Sequence, residues 1–123
     1  MERLFLALGS VSAGVAVALG AFGAHALRSR LSPGQLGTFE TAVRYQLYHA
    51  LAVLIVALFL LNRPGDALVV ASAWLFLGGT FLFSGSLCLL ALSDQKWVGA
   101  VTPFGGLAFI AGWVTLLLAA LRW

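Results

Sequence analysis

The side chains that could do chemistry are concentrated in one stretch, FETAVRYQLYHA, which runs from Phe39 to Ala50. Its polar members are Glu40, Thr41, Arg44, Tyr45, Gln46, Tyr48 and His49. Arg44 could hold an anionic group, such as a lipid headgroup or a substrate carboxylate, and ionisable groups inside spans also mark ion or proton paths. Glu40 precedes Arg44 by four residues, the favourable spacing for an ion pair on a helix. An interfacial salt bridge that anchors the helix is therefore the structural alternative to a working site.

The two histidines and the single cysteine predict little catalytic chemistry. A neutral His49 that hydrogen-bonds a neighbouring helix is the structural interpretation, and a proton relay is the functional one. His25, His49 and Cys88 show no close ligand spacing such as H-x-x-x-H, so we expect no metal and no cofactor. Ser86 lacks the G-x-S-x-G pattern of an activated nucleophile. No catalytic residue is predicted, although one pocket holding both histidines would favour an intramembrane enzyme.

Composition places these groups in a membrane. Apolar residues make up 62% of the 123 residues and charged residues only 9%, whereas a soluble domain carries about 25% charged residues. Too little polar surface is available to cover a water-soluble globule. The net charge of +3 comes from few residues and from no basic run, so we expect no nucleic-acid partner.

Four predominantly apolar runs are long enough to cross a bilayer, which takes about 20 residues of helix. They lie at about residues 4–24, 42–61, 67–93 and 98–121 of a single domain that covers residues 1–123. The first run exceeds the apolar part of a signal peptide, so we interpret it as a span. Trp97 and Trp123 lie at span edges, where their rings favour the headgroup level.

The second span explains the polar stretch. Its apolar part, Ala50 to Leu61, has only twelve residues, or about 18 Å of helix against a hydrocarbon core of about 30 Å. The helix must therefore include residues 42–49, and Ser32-Pro33-Gly34-Gln35 predicts a capping box at its start. The predicted fold is an all-α integral membrane four-helix bundle whose second span is extended by an amphipathic polar N-terminal half.

Small residues and one proline form a second theme. Ser10 with Gly14 and Ala16 with Gly20 are small-xxx-small pairs that predict close helix packing. Pro103 stands a few residues inside the fourth span and is followed by Gly105 and Gly106, which predicts a kink or a local opening of that helix. A simple kink that fits the bundle is the structural interpretation, and a broken helix beside a substrate path is the functional one.

The orientation in the membrane is left open by the charges. Four spans place both termini on one side, with Arg3, Arg63 and Arg122, and leave Arg28, Arg30 and Lys96 on the other. Lysine and arginine counts this close do not decide which side faces the cytoplasm. We expect a multi-pass membrane protein, in the inner membrane if the chain is bacterial.

Several motifs together resemble one family. They are GAFGAH at Gly20–His25, FETAVRYQLYHAL at Phe39–Leu51, FSGSL at Phe83–Leu87 and TPFGGLAFIAGW at Thr102–Trp113. In this order they resemble the domain of unknown function 423 family, which is similar to transmembrane protein 256 of eukaryotes. The resemblance implies a four-span membrane protein without an assigned activity. It also implies that the polar stretch and the Pro-Gly-Gly segment are family features, at Glu40, Arg44, Tyr45, Gln46, His49 and Pro103.

Two functions fit these observations. The first is an accessory protein that binds lipid headgroups or a partner subunit through residues 39–49. The second is a small oligomeric transporter or channel with Glu40, Arg44 and His49 along its path, which predicts a water-filled cavity reaching them. The candidate binding residues are Glu40, Arg44, Tyr45, Gln46, Tyr48, His49, His25 and Pro103. The expected partners are the lipid bilayer and either a second copy or another membrane protein.

Overall fold

The computed structural model describes residues 1–123 and consists of helices and their connections. Its α-helices are α1 (Glu2–Phe22), α2 (Pro33–Asn62), α3 (Ala67–Gly79), α4 (Gly85–Ser93) and α5 (Thr102–Leu121). A π-helical segment, Gly23–Leu27, continues α1, another, Thr80–Ser84, joins α3 to α4, and a 3₁₀ helix, Lys96–Ala100, precedes α5. Together they form four helices long and apolar enough to span a membrane: Glu2–Leu27, Pro33–Asn62, Ala67–Ser93 and Lys96–Leu121. The predicted all-α membrane fold is confirmed.

Helix α2 begins at the predicted capping box. The Ser32 hydroxyl accepts a hydrogen bond from the Gln35 backbone N–H at 3.2 Å, and the Gln35 side chain accepts one from the Ser32 N–H at 3.0 Å. Pro33 occupies the first turn, where its missing N–H costs nothing. The helix has 30 residues, or about 45 Å, so it exceeds the hydrocarbon core by several turns.

Helix α2 is also the centre of the packing. Helix α1 runs along one side of it, α3 and α4 pack on another, and α5 packs against α3 and the Thr80–Ser84 segment. The main core contains apolar side chains from all of these helices except α4: Phe5, Ala52, Val53, Val56, Ala57, Leu60, Val69, Ala73, Phe76, Phe109 and Ala119. Burial around α2 therefore fixes which of its faces points inward.

The bundle has two polar ends, because successive spans run in opposite directions. We call the end with residues 1–3, 62–66 and 122–123 the terminus side, and the end with residues 28–32 and 94–97 the loop side. On the terminus side, Asp66 caps α3 by accepting hydrogen bonds from the Leu68 and Val69 N–H groups at 3.0 and 3.2 Å. The Asp66 carboxylate also lies 3.8 Å from the Arg122 guanidinium.

Two small-residue predictions have different outcomes. Ala16 is buried and Gly20 contacts the Val43 side of α2, as close packing requires. Ser10 and Gly14 are exposed, and a Cβ on Gly14 would meet no atom within 4 Å, so the close helix packing predicted for this pair does not occur within the chain. The face of α1 that carries them points away from α2.

The predicted proline kink is also wrong. Residues Lys96–Ala100 form a 3₁₀ helix, and α5 starts only at Thr102, so Pro103 stands in the first turn of an α-helix. A proline is favourable there because the first N–H groups of a helix have no intrahelical acceptor. Pro103 begins α5 instead of interrupting it, and it lines none of the cavities of the structure.

Candidate functional site

The polar stretch of α2 divides between the inside and the outside of the bundle. Gln46 and His49 are buried, with 8% and 5% of their surface exposed, whereas Glu40, Arg44 and Tyr48 are exposed. The 3.6-residue period produces this division, since Arg44 and His49 are five residues apart and point about 140° away from each other. The structure therefore separates the predicted site residues into two groups.

His49 is held by two hydrogen bonds and one ring stack. Its Nδ1–H donates to the Tyr45 carbonyl at 2.8 Å, and its Nε2 accepts from the Trp113 indole N–H at 3.1 Å. These two bonds require the neutral ring with its proton on Nδ1. The imidazole also stacks on Phe109, with ring centroids 3.6 Å apart. The bond to Trp113 on α5 is the kind of contact expected of a histidine that hydrogen-bonds a neighbouring helix.

Around His49 lies an aromatic cluster that joins α2, α3, the Thr80–Ser84 segment and α5. Its members are Tyr45, His49, Phe76, Phe83, Phe109 and Trp113. Phe109 and Trp113 are partners of His49 that were not predicted from the sequence. Their spacing of four residues places both on one face of α5, which is the signal that could have indicated a shared aromatic surface.

Gln46 links α2 to α1. Its amide nitrogen donates a hydrogen bond to the Ser12 carbonyl at 3.0 Å, across the interface between the two helices. A side-chain amide bonded to a neighbouring backbone satisfies a polar group that the membrane would otherwise leave without a partner. Gln46 is thus a structural contact between two spans.

Glu40 and Arg44 share a small groove between α1 and α2 near the loop side. The groove has a volume of about 220 Å³ and is lined by Gly20, Gly23, Phe39, Glu40, Val43 and Arg44. The ion pairs of the structure are Met1 with Glu2 and Asp66 with Arg122. The predicted Glu40–Arg44 ion pair is therefore not formed, and both side chains are exposed.

The remaining site candidates lie apart. His25 is exposed in the Gly23–Leu27 segment, and no cavity contains it together with His49. No three His, Cys, Asp or Glu side chains are placed to hold a metal ion. The condition that would have favoured an intramembrane enzyme is not met.

The largest cavity is apolar and lies elsewhere. It measures about 550 Å³ and is lined by residues of the Thr80–Ser84 segment, α4 and the 3₁₀ helix, among them Phe81, Cys88 and Trp97. No residue of the polar stretch lines it. The structure therefore offers no single cavity that connects Glu40, Arg44 and His49.

Comparison with known proteins places the chain in a family. A family model described as "Protein of unknown function (DUF423)" matches residues 19–106. The chain belongs to the DUF423 family. It is 40% identical to the UPF0382 membrane protein YwdK of Bacillus subtilis over 98% of each chain. It is 42% identical to the UPF0382 inner membrane protein YgdD of Escherichia coli K12, over 98% of this chain and 92% of that one.

This DUF423 member is a multi-pass membrane protein. The names of its relatives state a membrane or inner-membrane location, and its four apolar helices agree with that location. A Staphylococcus aureus relative, 41% identical over 98% of this chain and 97% of its own, is likewise named a membrane protein. No solved structure matches the chain significantly.

Proposed function

We propose that this chain is an accessory membrane protein that binds phospholipid headgroups through Arg44, in the groove between α1 and α2. One observation carries the proposal. Arg44 is an exposed cation on a spanning helix, beside a groove, with no carboxylate paired to it. A charge in this position is costly unless a partner of opposite sign meets it.

The depth of Arg44 fits the phosphate level. Arg44 lies 17 residues before Leu61, which is about 26 Å along the helix from the terminus side of a core about 30 Å thick. Its long side chain can extend towards the loop side and leave the hydrocarbon. A guanidinium at this level can bind a lipid phosphate with two parallel hydrogen bonds.

A transport path within one copy of the chain is less well supported than lipid binding. A path along Glu40, Arg44 and His49 requires a shared cavity, but His49 lines none of the three cavities. Both of its ring nitrogens are already bonded to protein atoms. In the proposed role, Glu40 and Arg44 bind the headgroup, His49 packs the bundle, and the chain carries out no chemical step.

Lipid retention after detergent extraction tests the proposal. We expect native mass spectrometry to show phospholipid bound to the wild type and about fivefold less bound to Arg44→Gln, since one arginine contributes about 1 kcal/mol to such attraction. Arg30→Gln is the matched control, because it removes the same charge from an exposed position on the loop side that lines no cavity. Equal retention by Arg44→Gln and wild type would show that the proposal is wrong.

A further inference from the structure

We infer that the groove at Glu40 and Arg44 prefers a phospholipid whose phosphate carries a protonated primary amine, as in an ethanolamine headgroup. The inference rests on the proposed function, because it names the lipid class for the same site. It comes from Glu40, which a site for phosphate alone would not need.

Glu40 and Arg44 are opposite charges that line one groove without neutralising each other. Both side chains are exposed and both contribute to the cavity of about 220 Å³. A carboxylate beside the arginine would repel a purely anionic headgroup. A zwitterionic headgroup instead gives each charge its own partner, with phosphate on Arg44 and ammonium on Glu40.

The order of the two charges along α2 matches the order of charges in such a lipid. The Cα of Glu40 lies one turn closer to the helix start on the loop side, about 6 Å along the axis from that of Arg44. In an ethanolamine phospholipid, the phosphate is attached to the glycerol and the amine lies farther out. The deeper cation therefore meets the deeper anion, and the outer carboxylate meets the outer ammonium.

The chemistry of the groove favours a primary amine over a quaternary one. A protonated primary amine can donate three hydrogen bonds, which suits a carboxylate acceptor. A quaternary ammonium donates none and is usually held in a cage of aromatic rings. Phe39 is the only aromatic side chain that lines the groove, and it is 1% exposed because it packs under Gly23.

The surface of α2 beyond the groove can accept the lipid's acyl chain. Tyr48, Leu51, Ile55 and Leu58 are exposed and follow Arg44 towards the membrane interior. Their spacing keeps them within about 80° of one another around the helix, as one continuous stripe. From the loop side inward, α2 thus presents a carboxylate, an arginine and an apolar stripe. This is the order of the amine, the phosphate and the acyl chains in one phospholipid.

Competition between lipids with identical dioleoyl chains tests the inference. The purified protein is given equal amounts of phosphatidylethanolamine, phosphatidylglycerol and phosphatidylcholine, and bound lipid is counted by native mass spectrometry. We expect the wild type to retain phosphatidylethanolamine about fivefold more than either other lipid, a preference within the range of exposed charge pairs. Glu40→Gln should remove that preference and leave phosphate-dependent binding, while Arg44→Gln should lower retention of all three.

Two controls keep the test decisive. Asp94→Asn removes an exposed carboxylate on the loop side that lines no cavity, and it should leave the lipid preference unchanged. Stepwise N-methylation of the ethanolamine lipid needs no variant, and we expect retention to fall with each methyl group. Equal retention across this series, or a preference that survives Glu40→Gln, would overturn the inference. The proposed function would still stand if Arg44→Gln lowered retention, and would fail with the inference if it did not.

Discussion

At the residue scale, His49 shows how a membrane bundle can use an ionisable side chain for packing. Its ring bridges the Tyr45 carbonyl on its own helix and the Trp113 indole on α5, and it stacks on Phe109 between them. In lipid, a polar group without a partner is costly, so such a ring stabilises only the arrangement that satisfies both nitrogens.

The Trp113–His49 hydrogen bond should be measurable as a coupling energy between the two side chains in the free energy of unfolding. We expect Trp113→Phe to lower the free energy of unfolding by about 0.6–1.7 kcal/mol, the range seen for hydrogen bonds between membrane helices. In the His49→Leu background the same change should cost less, because no acceptor is left unpaired. Trp74→Phe is the control, since Trp74 makes only an edge contact with Phe5. Equal costs of Trp113→Phe in both backgrounds would contradict the coupling.

Asp66 should make stability depend on pH. The Val69 N–H, then the Leu68 N–H and the Arg122 charge, lower the pKa of the Asp66 carboxyl in the folded protein. Its stabilising contribution is therefore complete above the unfolded pKa, about 3.9, and is lost as the pH falls through the lower folded value.

Melting curves between neutral and acidic pH check this expectation. The melting temperature of the wild type in detergent should fall in acid, and that of Asp66→Asn should fall less, because asparagine still caps the helix but does not titrate. Parallel curves for the two proteins would show that Asp66 does not contribute to the acid sensitivity.

At the element scale, glycines of α5 allow this helix to pack closely against α3 and the Thr80–Ser84 segment. A Cβ on Gly105 would lie 2.7 Å from the Phe83 Cα, and one on Gly112 would lie 2.6 Å from the Phe76 ring. Small residues at such contacts permit close packing without a large apolar driving force, which is how helices associate in membranes.

Adjacent glycines of α5 should respond to alanine in opposite directions. We expect Gly105→Ala to destabilise by about 1–3 kcal/mol, because the added methyl group meets backbone that cannot rotate away. Gly106→Ala should be neutral or stabilising, since its nearest neighbour is the Phe83 ring at 3.9 Å and alanine favours the helix. Thermal unfolding in one detergent compares the pair, and a similar effect of both changes would contradict the close contact at Gly105.

At the scale of the whole molecule, four spans place both termini on one side of the membrane. A cysteine at Ser29, in a background with Cys88→Ser, should react with a membrane-impermeant maleimide only from the side opposite to the termini. Accessibility of terminal tags, measured in intact cells and in inverted vesicles, provides the comparison. Labelling of Ser29→Cys from the same side as both tags would exclude the four-span topology.

The sequence by itself determined the features that depend on local composition and spacing. Four apolar runs, the short apolar part of the second span and the Ser32 capping box each involve residues close in the chain. Hydropathy and helix capping depend on residues within a single helix. They can therefore be predicted without knowing how the helices pack together.

Only the tertiary structure decided what the polar stretch does. Rotation of α2 within the bundle turned His49 and Gln46 inward and left Glu40 and Arg44 outside. The Trp113–His49 bond joins residues 64 positions apart, and no local pattern encodes such a contact. Glu40 and Arg44 have the spacing of an ion pair but are not paired, because spacing along a helix brings two side chains within reach without fixing their rotamers.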